Sequence, residues 1–161
     1  MAKEPKQSKR RNARELVIKA LFASEIEKGD PFRQLAYIAG DWEMAGFAEE
    51  DPEAFLTDDA YVQQLTTGIL DHIDELDEII KSYAVDWDLN RLGGTERNIL
   101  RMGLFEMLYG ERLPPAVVIN EAIELTKKYS SPEASGFING ILDKKAKDIK
   151  NNTKRSEVQG M

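Results

Sequence analysis

Residues 117–144 read V-V-I-N-E-A-I-E-L-T-K-K-Y-S-S-P-E-A-S-G-F-I-N-G-I-L-D-K. Two sets of residues in this tract fall at helical spacing. Val118, Ile119, Ala122, Ile123 and Thr126 form the first, and Ala134, Phe137, Ile138, Ile141 and Leu142 the second. Between them Ser131 offers an N-cap oxygen. Pro132 stands at the first helical position, where its missing N–H leaves nothing unpaired. Asn120 and Glu121 open the first helix, and Asn139 lies inside the second. Gly136 and Gly140 also lie inside the second helix. Each costs about 1 kcal/mol of helix propensity relative to Ala, so a packing or contact reason is expected there. The tract predicts two amphipathic helices joined by a capped turn.

The same period runs outward from it. Ala13, Leu16, Val17, Ala20, Leu21 and Ser24 make a stripe on a first helix from about Lys9 to Glu27, ended by Gly29. Asp30-Pro31 restarts the chain for a second helix, Phe32 to Met44, with Leu35, Ala36, Ile38, Ala39 and Trp42 apolar. An acidic loop follows at 46–52. Thr57-Asp58-Asp59 begins a third helix carrying Tyr61, Val62, Leu65, Ile69, His72 and Ile73. Asp74 resembles the cap of a short fourth, with Leu76, Ile79, Ile80 and Tyr83. Residues 87–92 form a connector, and Gly93-Gly94 breaks the chain. Thr95 is read as the cap of a fifth helix bearing Ile99, Leu100, Gly103, Leu104, Met107 and Leu108. Leu113-Pro114-Pro115 precedes the opening tract, whose last helix frays from about Asn151. The expected fold class is all-α, about seven helices in two packed subdomains. Residues 9–150 would form a single domain (subdomains about 9–85 and 86–150). Residues 1–8 would be a flexible basic N-terminus and 151–161 a polar tail.

Composition narrows the chemistry. The 161 residues include no cysteine, which removes disulfides, thiolate metal sites and a cysteine nucleophile. The first residues hold no apolar stretch of a secretory signal, and no run is long enough to span a bilayer. A soluble, cytoplasmic protein with no membrane contact is expected. His72 is the sole histidine and shares the Ile69/Ile73 spacing, which suits a packed or half-exposed side chain better than a catalytic base. Asp71, Asp74, Glu75, Asp77 and Glu78 cluster at a helix start, where the helix dipole favours carboxylates without a metal. Gly93-Gly94 lacks the lysine and further glycines of a phosphate loop, and Ser130 and Ser131 lack a histidine partner. The expectation is no catalysis, no metal and no cofactor.

Charge is distributed unevenly. Residues 1–14 hold six basic side chains against one acidic, residues 15–143 ten against 26, and residues 144–161 six against two. An acidic body with basic ends suits either a polyanion partner or a solvated tail. Arg10 and Arg14 lie four apart on the first helix, with Arg11 between them and Lys19 on an adjoining flank. A guanidinium donates bidentately to phosphate. Phe22, two turns beyond Arg14, suits either stacking on an unpaired base or the core.

Three tracts carry a family resemblance: R-R-N-A-R-E-L-V-I-K-A-L-F at 10–22, W-D-L-N-R-L-G-G-T-E-R-N-I-L-R-M-G-L-F-E-M-L-Y at 87–109, and the opening tract. Together they resemble the NusB transcription antitermination factors. Asn12 stands where the family often has arginine, Phe22 where it has tyrosine, Gly93-Gly94-Thr95 where it has a serine and proline, and Gly136 where lysine is common. The resemblance implies an RNA-binding adaptor. Such factors bind boxA-type single-stranded RNA of nascent ribosomal RNA transcripts together with NusE, a small-subunit ribosomal protein. They help assemble an antitermination complex with other factors on RNA polymerase. It implies RNA contacts at Arg10, Arg11, Arg14, Phe22, Glu133 and Phe137, to which the helical spacing adds Lys19, and a protein-partner surface at Glu96, Arg97 and Arg101. It admits a homodimer as well as a monomer. The alternative is a non-catalytic helical oligomerisation or interaction module, related to the N-terminal domain of ribosomal-RNA cytosine methyltransferases.

Overall fold

The structure, a computed structural model, describes residues 8–44, 58–84, 92–110 and 113–159, with side chains described at all of these but 40–44 and 153–159. The acidic loop at 46–52, most of the 87–92 connector and the side chain of Trp42 lie outside the described residues. Every regular element among the described residues is helical: α1 (Lys9–Glu27), α2 (Pro31–Met44), α3 (Asp59–Asp71), α4 (Ile73–Tyr83), α5 (Gly94–Tyr109), α6 (Pro115–Tyr129) and α7 (Pro132–Gln159). None is long and apolar enough to cross a membrane. The contacts divide the chain into two compact units, one ending at Asp71 and the other beginning at His72.

In the first unit α1 packs against α2 and α3. The Ser8 hydroxyl accepts the Arg11 N–H at 3.1 Å and so caps α1. The whole expected stripe of Ala13, Leu16, Val17, Ala20, Leu21 and Ser24 is buried. Lys28, one residue before the expected glycine stop, takes the left-handed conformation at φ 55° and donates its N–H to the Ser24 carbonyl. Asp30 then accepts the Phe32 N–H at 3.0 Å, and Pro31 opens α2. Asp58 caps α3 through the Tyr61 N–H at 3.1 Å.

In the second unit α5 is the central element, packed against α4, α6 and α7. Its Ile99, Leu100, Met102 and Leu104 are buried, as are Val118, Ala122 and Leu125 of α6 and Ile138, Ile141 and Leu142 of α7, on helices that pack against it. Gly103 suits the close approach there: a Cβ would stand 3.1 Å from a methyl carbon of the fully buried Leu142, which would have to shift by a few tenths of an ångström. Two expected caps move. The cap position of α4 is His72, with Asp74 and Glu75 in the first turn, where their charge suits the helix dipole. The cap position of α5 is Gly93, whose extended backbone starts the helix early enough to put Thr95 inside it. Ser131 caps α7 as expected, accepting the Ala134 N–H at 3.3 Å. That helix does not fray at Asn151 but continues to Gln159.

The expected subdomain break near residue 85 puts α4 with the first unit, whereas the contacts put it with the second. Long-range polar ties also join α4 to the second unit. Arg101 of α5 grips Asp77 of α4 as a fork, Nε to Oδ1 at 2.7 Å and Nη2 to Oδ2 at 2.9 Å. Its Nη1 donates to Asn98 at 3.0 Å. Tyr83 of α4 donates its hydroxyl to Asp148 of α7.

Three measurements check this account. Gly136 and Gly140 have no neighbour within 4 Å of an added Cβ, so the packing reason expected for them is absent. Gly140→Ala should therefore raise the unfolding free energy by about 0.5–1 kcal/mol, read from urea melts; a loss would show that the helix needs this glycine. Arg101→Met leaves Asp77 and Asn98 without their donor. Because Asp77 is 31% exposed and water partly replaces the lost bonds, the expected cost is about 1–3 kcal/mol. Burial and the Asp148 carboxylate push the Tyr83 hydroxyl up from 10.0 to about 12. A raised acid gives stability that is complete below pH 10 and is lost as pH climbs through 12. Unfolding titrations should show that alkaline loss in the native sequence, and Tyr83→Phe should shrink it.

Candidate nucleic-acid interface

The first turns of α1 place three arginines in different surroundings. The Arg10 guanidinium lies over the Tyr61 ring, 4.6 Å from its centroid, and 3.9 Å from an Asp58 carboxylate oxygen. Its side chain is 35% exposed. Arg11 is half-buried. Arg14 is only 4% exposed. Its guanidinium sits 5.5 Å from the same Tyr61 centroid, and its Nη2 donates to the Tyr61 hydroxyl at 3.4 Å. The spacing of Arg10 and Arg14 suggests a shared outward side; burial takes Arg14 out of the solvent-facing set and leaves Arg10 and Arg11 the more accessible pair. Lys19 is half-buried. Phe22 is 38% exposed, so the core reading of its side chain gives way to a surface one. Ile26, one turn on, is exposed as well.

The remaining expected residues lie in the second unit. Glu133 is exposed in the first turn of α7, and Phe137, one turn later, is half-buried beside the exposed Gly136. Glu96 accepts a hydrogen bond from the Ser130 hydroxyl, tying the start of α5 to the end of α6. The buried Nε of Arg97 has no hydrogen-bond partner. Arg101 departs from the expected exposed charge: it is 6% exposed and committed to Asp77. Its physical role is to hold α4 on α5, because a buried guanidinium is costly unless it is paired and hydrogen-bonded. His72 stacks on Tyr109 with centroids 4.1 Å apart, and its Nδ1 lies 3.3 Å from Glu75. The Tyr109 hydroxyl donates to the same carboxylate at 2.7 Å, which raises its pKa, with burial and the Glu75 charge adding to the effect.

Sequence reasoning missed Tyr61 and Asp58 as partners of the arginines, and Asp77 as the partner of Arg101. No local signal marks them, since Tyr61 is 47 positions from Arg14 and Asp77 is 24 from Arg101. What the first unit offers chemically is a guanidinium laid on a ring at the helix start, with an exposed aromatic farther along the same helix. That arrangement suits phosphate donation and base stacking. Among the described residues no group of three or more His, Asp or Glu side chains stands close enough to hold a metal ion.

Comparison with known proteins gives a consistent answer. The sequence model of the NusB family matches residues 11–147. The transcription antitermination protein NusB of Thermodesulfovibrio yellowstonii is 40% identical over 141 residues, which cover 87% of this chain and 93% of that one. Among solved structures, NusB of T. maritima superposes with a TM-score of 0.70 at 32% identity, covering 89% of this chain and 93% of that one. A chain from a complex of the antitermination factors NusB and NusE with double-stranded RNA superposes with a TM-score of 0.66 at 26% identity, covering 86% and 96%. With most of both lengths aligned and the helical architecture shared, this chain belongs to the NusB family.

Proposed function

We propose that this protein is an RNA-binding transcription antitermination factor without catalytic activity of its own. In this reading it works in the cytoplasm on boxA-type RNA of nascent ribosomal RNA transcripts, together with NusE. Other antitermination factors and RNA polymerase join through the assembled complex, and a homodimer is a further form it can take. The family match over residues 11–147 carries the reading, and the cationic start of α1 supplies a physical means. A net charge of −7 repels a polyanion as a whole, so attraction has to be local. Arg10 and Arg11 provide it at the helix start, Lys19 adds charge farther along, and the buried Arg14 adds positive potential beneath them. Phe22 offers a face for base stacking. Phe137 and Glu133 are assigned to RNA, and Glu96, Arg97 and Arg101 to the protein partner. For Arg101 that role is indirect, through the shape of α5 that its fork with Asp77 maintains.

The test is a salt titration of binding to boxA-type single-stranded RNA and to an RNA duplex, each with and without NusE. If Arg10 and Arg11 neutralise phosphates, replacing both with Ala weakens binding to every sequence and lowers the log–log salt slope by about 0.7 per lost contact on a single strand. Phe22→Ala leaves the slope alone and costs about 1–3 kcal/mol of binding if a base stacks there. It also lowers the melting temperature, because most of the 38%-exposed residue is covered by the protein, so melts are needed to show that the variant is folded. An unchanged slope in the double-arginine variant would move the RNA face elsewhere on the molecule. Absence of RNA binding with and without NusE would favour the alternative of a helical interaction module.

A further inference from the structure

We propose that one face of α7 is a track for single-stranded RNA beyond the boxA element, with Glu133 and Phe137 at bases where it begins and Lys144, Lys147 and Lys150 at phosphates farther along. The inference rests on the RNA-binding reading and extends it from the first turns of α7 to its second half, which contributes none of the expected contacts. Glu133, Phe137, Gly140, Lys144, Lys147 and Asn151 follow one another in alternating steps of four and three residues, so they form one stripe along the helix. Lys150, one turn beyond Lys147, borders it. The opposite side of the helix packs into the core, where Ile138, Ile141 and Leu142 are buried. Along the stripe Glu133, Lys144, Lys147 and Asn151 are exposed, as is Lys150 beside it. The helix rise puts Glu133 and Lys150 about 25 Å apart, so the stripe is a path and not a single point of contact.

Charge changes sign along this path. The carboxylate at its start suits base edges, whose amino groups donate hydrogen bonds, and would repel a phosphate. Farther on, residues 144–152 hold four lysines against one acid. That acid, Asp148, accepts the Tyr83 hydroxyl. Asp143, just before the segment, pairs with Lys147 at 2.9 Å, and with the lysine 72% and the carboxylate 47% exposed a phosphate can replace the carboxylate. Gly136 and Gly140 stand between the two ends. Nothing lies within 4 Å of a Cβ added to either, so a strand can lie close to the helix backbone there. Clearance thus supplies the reason for these glycines that packing does not. An acidic protein segment would match the lysines but not the carboxylate and ring that begin the stripe. RNA carries bases and phosphates on one strand and matches both.

The experiment uses the full chain and two RNAs, a boxA-type single strand and the same strand lengthened by unstructured nucleotides on both sides, each titrated with salt. The native protein should bind the longer strand more tightly and with a steeper log–log slope. Lys144→Gln/Lys150→Gln keeps the helix propensity. It should flatten the slope on the longer strand by about 0.7 for each lost contact and leave the shorter strand unaffected. Lys81→Gln/Lys127→Gln removes the same charge from exposed positions on α4 and α6, and should leave both strands nearly unaffected. Lys144→Arg/Lys150→Arg keeps the charge and should bind as the native protein does. Thermal melts establish that each variant is folded. Equal affinity of the native protein for the two strands overturns the proposal. So does an equal loss in the two Gln variants, which would trace the effect to net charge alone. An unchanged slope on the longer strand in Lys144→Gln/Lys150→Gln, or an equal loss on the shorter one, overturns it too. Should that variant instead lose affinity for NusE in the absence of RNA, with RNA binding intact, the face belongs to a protein partner and not to RNA. A native protein that binds neither strand, with or without NusE, would overturn the RNA-binding reading itself, and this proposal with it.

Discussion

A guanidinium can leave water only where something planar or anionic receives it, and two such groups fix the arrangement of helices within each unit. In the first, Arg14 points at Tyr61 and so relates α1 to α3. In the second, Arg101 forks onto Asp77 and so relates α5 to α4. Apolar burial supplies most of the driving force in both cores, but it is non-directional. Leu and Ile stripes would tolerate α4 at several rotations about its own axis. A bidentate ion pair with both N···O distances below 3 Å tolerates few. The carboxylate at Asp77 and the phenol at Tyr61 thus select among packings that the hydrophobic effect alone leaves close in energy.

That division explains how much could be read from the chain. Elements with local causes were legible. Asp30-Pro31, Asp58 and Ser131 each cap a helix with an oxygen and a backbone N–H two or three positions away. The stripe of Ala13 through Ser24 followed directly from the 3.6-residue period. The family, with its all-helical fold, was legible in three tracts that together span the first helix and most of the second unit. What escaped were properties decided by residues far along the chain. Arg14 and Arg101 looked like surface charge because arginine usually is; Tyr61 and Asp77 are among the distant residues that receive them in the interior. The last helix looked frayed because its composition is polar. Polar helices persist when charges alternate at the right spacing, as Asp143 and Lys147 do at 2.9 Å.

The acidic body and the basic helix start act together in the proposed role. A uniformly basic surface would hold any polyanion without regard to orientation. A basic start to α1, on a chain of net charge −7, favours approach of a polyanion at that end. The electrostatic part of recognition then also carries geometric information. The exposed Phe22 lies on the same helix, so stacking and phosphate contacts would share one rigid element instead of two mobile loops.

The open space around Gly136 and Gly140 bears on motion. Two residues of poor helix propensity in the first nine positions of α7, neither offset by a packing contact, lower the free energy needed to unwind that end. Around Gly103 the opposite holds, because Leu142 fills the space and locks α5 to the middle of α7. One continuous helix therefore has a soft beginning and a firm centre. Its amide protons near Ser135 should exchange with water well before those near Leu142, and any ligand that settles over the soft turn would slow that exchange by supplying the contacts the glycines lack.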